Sequence, residues 1–388
     1  MIETGSDFSG VGAFDQALIK LNIDYKTIFA CDMDKYARQT YIENYGQPNY
    51  YPDNVYNREI PKKPLDIYMT SPPCQSFSLA GKRKGEDSEN GVLFYNSHEF
   101  ILKNNPRFFI FENVKGLLSD NKGRTFQIWL DMLGGKSVNG NPVIFPREDA
   151  TPYHIYHQVL NAKHYGVPQN RERVFIIGIR GDVDNVFHFP KPFHLTKRLK
   201  DVLEKDVDKK YFLSDKMVNV LKHHDNKIIK NQNPNESACI HASYFKMGGR
   251  DQQYLKVKSA TKKGYENATE NDSINLTFPE SETRRGRVGK EVAQTLDTSC
   301  NQGVWTADYR YDEVLRIRKG QASLCVTTSE PIYTNQPKIR RLTPRECFRL
   351  MDFPDTFKWS VSDTQAYKQA GNSIVVNVLS EILKKLLI

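Results

Sequence analysis

Cysteine is scarce and scattered in this chain: six in 388 residues, at Cys31, Cys74, Cys239, Cys300, Cys325 and Cys347, with no Cys-x-x-Cys pair. That excludes a disulfide scaffold and the common zinc spacings, and it predicts a reducing, cytoplasmic setting. Histidine offers no metal set either. His154 with His157, and His223 with His224, lack a second ligand pair at metal spacing, so no metal is expected. Long apolar runs are missing, mean hydropathy is −0.61, and the opening Met1-Ile2-Glu3-Thr4 shows no basic-then-apolar signal segment. No membrane association is expected.

What the chain does have is length for two or three domains and an excess of positive charge. Lysine plus arginine exceed aspartate plus glutamate by 55 − 46 = +9, and residues 186–337 hold 25 basic and 19 acidic residues, or +6 of that total. That stretch is the candidate face for a polyanion. Before it, short apolar runs at Tyr25 to Ala30, Ile67 to Met69, Phe108 to Phe111 and Val174 to Ile179 alternate with longer mixed segments. Alternation of this kind predicts βαβ units, hence an α/β fold with a doubly wound, mostly parallel sheet. The stretch from Glu3 to Asp7 is the poorest strand former among the expected strands.

Beyond Phe189 the texture becomes polar, with long loops, and Lys262 to Asp272 reads as a segment left without structure until a partner orders it. The last residues turn helical. Val375, Val378, Leu379, Ile382, Leu383 and Leu386 repeat at i, i+3, i+4 and i+7, so their apolar face needs a host. The first domain's sheet is the expected host, which makes that domain discontinuous. The resulting division is 1–185, an inserted smaller domain at 186–337, and a returning segment at 338–388.

Chemistry concentrates at the expected strand ends, where α/β sheets bind ligands. Pro72 and Pro73 stiffen the backbone just before Cys74, so the thiol is aimed. A lone cysteine is more often a buried, inert hydrophobe, so other motifs must agree with a reactive reading. Phe8-Ser9-Gly10-Val11-Gly12 opens a helix, and Asp32 follows Gly12 by 32 − 12 = 20 residues, the spacing of a ribose-binding acid. Asp15 occupies the place of a dinucleotide fingerprint's third glycine, so an adenosine cofactor without a pyrophosphate fits better than NAD. Phe111-Glu112-Asn113-Val114 puts a carboxylate at the same sheet edge as Cys74, and Gln169-Asn170-Arg171-Glu172-Arg173 leads into the Val174 strand.

In order and spacing these motifs, with Arg341-Leu342-Thr343-Pro344-Arg345-Glu346-Cys347 and Gln369-Ala370-Gly371-Asn372-Ser373, resemble those of the DNA (cytosine-5) methyltransferase family, of the bacterial or phage restriction-modification type. The resemblance covers Phe8 to Arg180 and Ile339 to the C-terminus. It implies a Rossmann-like methyltransferase fold, S-adenosyl-L-methionine as cofactor, double-stranded DNA as substrate, and residues 186–337 as the target-recognition domain. By the match Cys74 is the nucleophile toward cytosine carbon 6, Glu112 the acid at the ring nitrogen, and Arg173, with Arg171 beside it, the contact to the carbonyl oxygen. An electron-poor ring needs such an addition before its carbon 5 can accept a methyl group. The match also implies cofactor contacts at Phe8, Gly10, Gly12, Asp32, Met33, Asp53, Asn372 and Ser373. Gln75 and Ser78, with Lys82 and Arg83 in the Gly81 to Gly85 loop, match the segment that closes over an extruded base.

Arg250, Arg284, Arg285 and Arg287 are candidate guanine readers, and Thr295 matches a DNA-contacting threonine. The chain departs from the family pattern at Ser6, where an acid is usual, while Asp7 adjoins Phe8. Residues 134–152 are an insertion without a derived role. A monomer is expected, with a cognate restriction endonuclease acting on the same site without a stable complex. Two rivals stay open: an RNA cytosine-5 methyltransferase, and a catalytically silent DNA-binding regulator.

Overall fold

The computed structural model describes residues 1–72, 89–183, 186–214, 216–218, 255–269, 271–299, 301–306 and 338–388. They divide into two compact units, one of Met1–Lys197, Thr295–Ser299 and Pro344–Ile388, the other of Arg198–Gln294 and Cys300–Thr343.

The first unit is built on strands β1 (Ile2–Asp7), β2 (Tyr25–Cys31), β3 (Ile67–Thr70), β4 (Phe108–Val114), β5 (Ser137–Val138), β6 (Asn141–Pro142), β7 (Tyr153–Asn161), β8 (Gln169–Asn170) and β9 (Glu172–Arg180). All but β8 form one sheet in the order β2-β1-β3-β4-β9-β7-β5-β6. The pairs β1–β2, β1–β3, β3–β4 and β5–β7 are parallel, and β4–β9, β7–β9 and β5–β6 are antiparallel. The sheet is mixed and mostly parallel, as a doubly wound α/β protein requires.

β1 overturns its poor propensity by position. It is an inner strand hydrogen-bonded to β2 and β3, and propensity yields to burial there. Its Gly5 is required: a Cβ would stand 2.2 Å from the ring of Phe29 on β2. Gly178 on β9 serves Phe109 on β4 the same way, with only 1.9 Å for a Cβ. β7 carries no clean apolar run, only Tyr-His-Ile-Tyr-His-Gln-Val-Leu-Asn, and pairing along nearly all of β9 makes it a strand. Residues 134–152 supply the β5–β6 hairpin at the sheet edge.

Helices α1 (Ala13–Lys20), α2 (Lys35–Tyr45), α3 (Glu89–Asn104) and α4 (Arg124–Leu133) cover the sheet. Phe94 and Phe100 of α3 and Trp129 of α4 pack with Phe29, Phe109 and Phe111 in the main core. The predicted C-terminal helix forms at Val376–Leu387, buries Val376, Val378, Leu379, Ile382 and Leu383, and packs on α1, so the first unit is its host.

The second unit is made of shorter pieces: β10 (Leu255–Lys258), β11 (Tyr265–Ala268), β12 (Ser273–Asn275), β13 (Val288–Gly289), β14 (Ala293–Gln294), β15 (Gln302–Thr306) and β16 (Lys338–Arg341). A four-stranded sheet in the order β13-β12-β15-β16 and the β10–β11 hairpin share a small core of Val218, Leu255, Val257, Ala268, Ile274 and Ile339. The expectation of an unstructured 262–272 segment is corrected here. β11 pairs residue for residue with β10, and the Asp272 carboxylate takes hydrogen bonds from the backbone and side chain of Thr269 and a salt bridge from Lys290.

Candidate active site

Two groups of residues gather at the C-terminal edge of the parallel strands. At the first, β3 and β4 run in register with Thr70 opposite Phe111, so the chain leaves β3 toward Pro72 beside Glu112 and Asn113. Asn113 Nδ2 donates to the Pro72 carbonyl at 3.4 Å, tethering the chain two residues before Cys74. Cys74 itself, with Gln75, Ser78, Lys82 and Arg83, lies outside the described residues.

Glu112 is 7% exposed, and Arg173 Nε, arriving from the neighbouring strand β9, stands 3.2 Å from its Oε1. Burial raises the Glu112 pKa and outweighs the two guanidiniums of Arg173 and Arg171, which pull it down. A carboxyl group whose pKa is raised this way holds its proton to higher pH than an ordinary carboxylate and can give it to a partner. Arg171 is buried too. Its guanidinium donates to the carbonyls of Leu296 (3.1 Å), Gly371 (3.0 Å) and Ser373 (2.7 Å), so it fastens two remote segments to the strand end. Burial, then the adjacent Arg173, lowers its pKa, and Glu112 opposes them.

At the second group, the chain turns sharply between β1 and α1. Phe8 has φ 56°, Gly10 φ 54° and Gly12 φ 82°, all in the left-handed region where glycine is favoured and Phe8 is strained. At Gly12 a Cβ would meet the Tyr45 ring at 2.2 Å, whereas at Gly10 it would meet nothing within 4 Å. Space is therefore open beside Gly10, just before the start of α1. Asp32, at the end of β2, accepts the Gly10 N–H at Oδ2 and the Asp34 N–H at Oδ1, both at 2.8 Å, and burial raises its pKa against those two bonds.

Of the other residues expected at a cofactor, Phe8 is partly buried, Met33 is 85% exposed, Asp53 and Asn372 are exposed and Ser373 is buried. A buried carboxylate oriented by two backbone N–H groups, beside open space at Gly10, can accept hydrogen bonds from a ligand's hydroxyls. Asp15 fills the place where a pyrophosphate site has glycine, buried and bonded to Tyr41 (2.8 Å) and Thr27 (3.1 Å).

A family model described as C-5 cytosine-specific DNA methylase matches residues 2–387. The chain belongs to that family. The methylase thus transfers a methyl group from a methyl donor to carbon 5 of cytosine in DNA. It is 31% identical to the type II methyltransferase M.HpaII of Haemophilus parainfluenzae over 384 residues, spanning 98% of this chain and 87% of that protein. To the orphan methyltransferase M.SPRI of Bacillus phage SPR it is 30% identical over 448 residues, spanning 98% and 96%. Its fold matches that of a mutant DNMT2 of Spodoptera frugiperda with a TM-score of 0.59, at 19% identity and full coverage of both chains. A prophage-encoded methyltransferase of E. coli, described as a putative DNA modification enzyme, gives 0.58 at 20% identity, over 100% of this chain and 98% of that one.

The methylase places its other expected residues unevenly. Thr295 lies in the first unit, its Oγ1 donating to the Asn170 carbonyl at 2.8 Å, next to Arg171. Arg284 and Arg285 lie in the second unit, where Arg285 is exposed and donates to the Ala260 carbonyl. Arg287, expected at the surface as a guanine reader, is 0% exposed. Its guanidinium donates to the carbonyls of Asn275, Thr277, Phe278 and Ser281, so it holds a loop together. Arg250 lies outside the described residues. Sequence reasoning gave no role to Gln169, whose Nε2 donates to the Leu350 carbonyl at 2.7 Å, or to Gln369, which bridges Thr40 Oγ1 and the Tyr36 carbonyl. Their places inside two of the motifs were the available signal. Among the described residues no helix is long and apolar enough to cross a membrane.

Proposed function

We propose that this methylase is the modification enzyme of a restriction-modification system, methylating a cytosine within one specific duplex DNA sequence with S-adenosyl-L-methionine as donor. The observation that carries the reading is the buried Glu112 carboxyl with the Arg173 guanidinium at 3.2 Å, its neighbour Asn113 tethering Pro72, two residues before Cys74 in the chain. The names of M.HpaII and M.HhaI, type II enzymes at 31% and 29% identity, support the restriction-modification setting.

In this reading the target cytosine leaves the stack, because no side chain reaches its carbon 6 inside a duplex. The Cys74 thiolate adds to carbon 6 while Glu112 gives its proton to the ring nitrogen beside the exocyclic amine. Arg173 holds the carbonyl oxygen, and Arg171 keeps the strand end rigid through its three carbonyl bonds. Loss of the carbon 5 proton and elimination of the thiolate then restore the enzyme. The donor supplies an electrophilic methyl group. Phe8, Gly10, Gly12, Asp32, Met33 and Asp53 hold it from the β1–α1 side, and Asn372 and Ser373 from the returning segment.

The second unit, residues 186–337 in the main, is the target-recognition domain. Arg284, Arg285 and Arg250 are its candidate DNA contacts; Thr295, which belongs to the first unit, is a further one, with Gln75, Ser78, Lys82 and Arg83 following the nucleophile in the chain. The enzyme acts as a cytoplasmic monomer, and its cognate endonuclease reads the same site without a stable complex. Labelled methyl transfer offered to duplex DNA and to transfer RNA tests the substrate, and bisulfite sequencing of DNA from expressing cells gives the site. Transfer to RNA alone, or methylation without sequence preference, would overturn the reading.

A further inference from the structure

Asp7, which follows the departure from the family pattern at Ser6, is buried in the core, where a charge needs a reason. It is 1% exposed and ends β1 between Cys31 of β2 and Thr70 of β3. Its Oδ1 accepts Arg58 Nε at 2.8 Å, and its Oδ2 accepts the Tyr68 hydroxyl at 2.6 Å. The Arg58 guanidinium lies over Phe100 at 4.5 Å, Tyr68 stacks on the same ring at 4.1 Å, and Arg58 Nη1 is buried without a hydrogen-bond partner. Stability alone does not account for this arrangement. A buried ion pair is commonly no better than apolar side chains of equal volume, and an orphaned donor makes it worse.

What the three side chains do accomplish is geometric. Asp7 immediately precedes Phe8, the residue strained at φ 56°. Arg58 closes the loop that begins at Pro52, whose carbonyl accepts the Asp32 N–H, and that carries Asp53. Tyr68 lies on the strand whose exit, Ser71, donates to the Phe8 carbonyl. We infer that Asp7, Arg58 and Tyr68 are positioning residues for the methyl donor, locking the Phe8 turn to the Asp53 loop from behind the sheet. The inference rests on the proposed donor site. It adds three residues, none of which touches the donor, and the Arg58 to Asp7 link spans 51 positions of chain.

The test replaces the network by apolar side chains of similar size, Asp7→Leu with Arg58→Met and Tyr68→Phe together, and separately makes Tyr68→Phe alone. Binding of S-adenosylhomocysteine is read by titration calorimetry, alongside thermal melting, donor KM and kcat. The triple variant is expected to melt as the parent does, while donor KM and the product's dissociation constant rise about tenfold and kcat stays near the parent value. Tyr68→Phe alone should give a rise of about threefold in the same two quantities, and it decides the matter if the triple variant does not fold. Parent-like binding and KM in folded variants would overturn the inference and leave the network a brace of the core. A parent enzyme that itself fails to bind S-adenosylhomocysteine would sink the donor assignment instead.

Discussion

The two ends of the site are built on opposite principles. Around Glu112, charges ride on or beside two paired strands and are buried or partly buried, so the protein environment sets their protonation and aim. Near Asp32, Phe8, Gly10, Gly12 and Met33 sit on turns that follow strands, and left-handed backbone at Phe8, Gly10 and Gly12 sets the shape. Tuned burial belongs where a proton must move, and open backbone geometry belongs where a ligand must enter and leave. Substitutions at the first end should therefore strike turnover, and those at the second should strike affinity.

The largest effect is expected for Cys74→Ser, which should abolish the denaturation-resistant adduct with DNA carrying 5-fluorocytosine while DNA binding remains measurable by gel shift. Next comes Glu112→Gln, expected to lower kcat by roughly 10²–10⁴-fold with donor KM little changed. Because burial raises the Glu112 pKa, the parent's rate should fall on the alkaline side as this proton is lost. A variant that turns over like the parent would break the contrast outright.

Asp15, beneath the donor turn, offers a sharper version through stability. Burial pushes its pKa from 3.8 to about 6, so the unfolded chain ionises first as pH rises. Its contribution is fully present below about pH 3.8 and is lost as pH climbs through 6. Urea unfolding should show Asp15→Asn gaining on the parent by up to about 3 kcal/mol between pH 4 and pH 8, with no gain at the acid end. At the donor end itself, Asp32→Asn should raise donor KM about tenfold, near 1.4 kcal/mol, and leave kcat alone in initial-rate measurements. Smallest is Arg284→Ala, expected to weaken DNA binding about threefold and to flatten its salt dependence.

Legibility differed between the regions for reasons visible in particular residues. Glu112, Arg171, Arg173, Asp32 and Gly12 stand in short motifs whose spacing follows from one strand end or one turn, so their neighbourhood could be read before any fold was known. Arg287 looked like its neighbours Arg284 and Arg285, and only its burial among four carbonyls separates it from them. β7 escaped notice because its half-polar pattern becomes a strand through pairing with β9. Among the described residues of the second unit the strands run two to five residues, too short to leave a periodic signature.

By itself the sequence determined the family, the α/β class, the terminal helix and the residues at each strand end, because those depend on contacts within a few positions of chain. The tertiary structure alone decided which charges face inward. The Asp7 to Arg58 pair, the three carbonyls on Arg171 and the return of Thr295–Ser299 to the first unit all join residues 51 to 202 positions apart. No local pattern encodes such pairings, since burial of a charge is a property of everything packed around it.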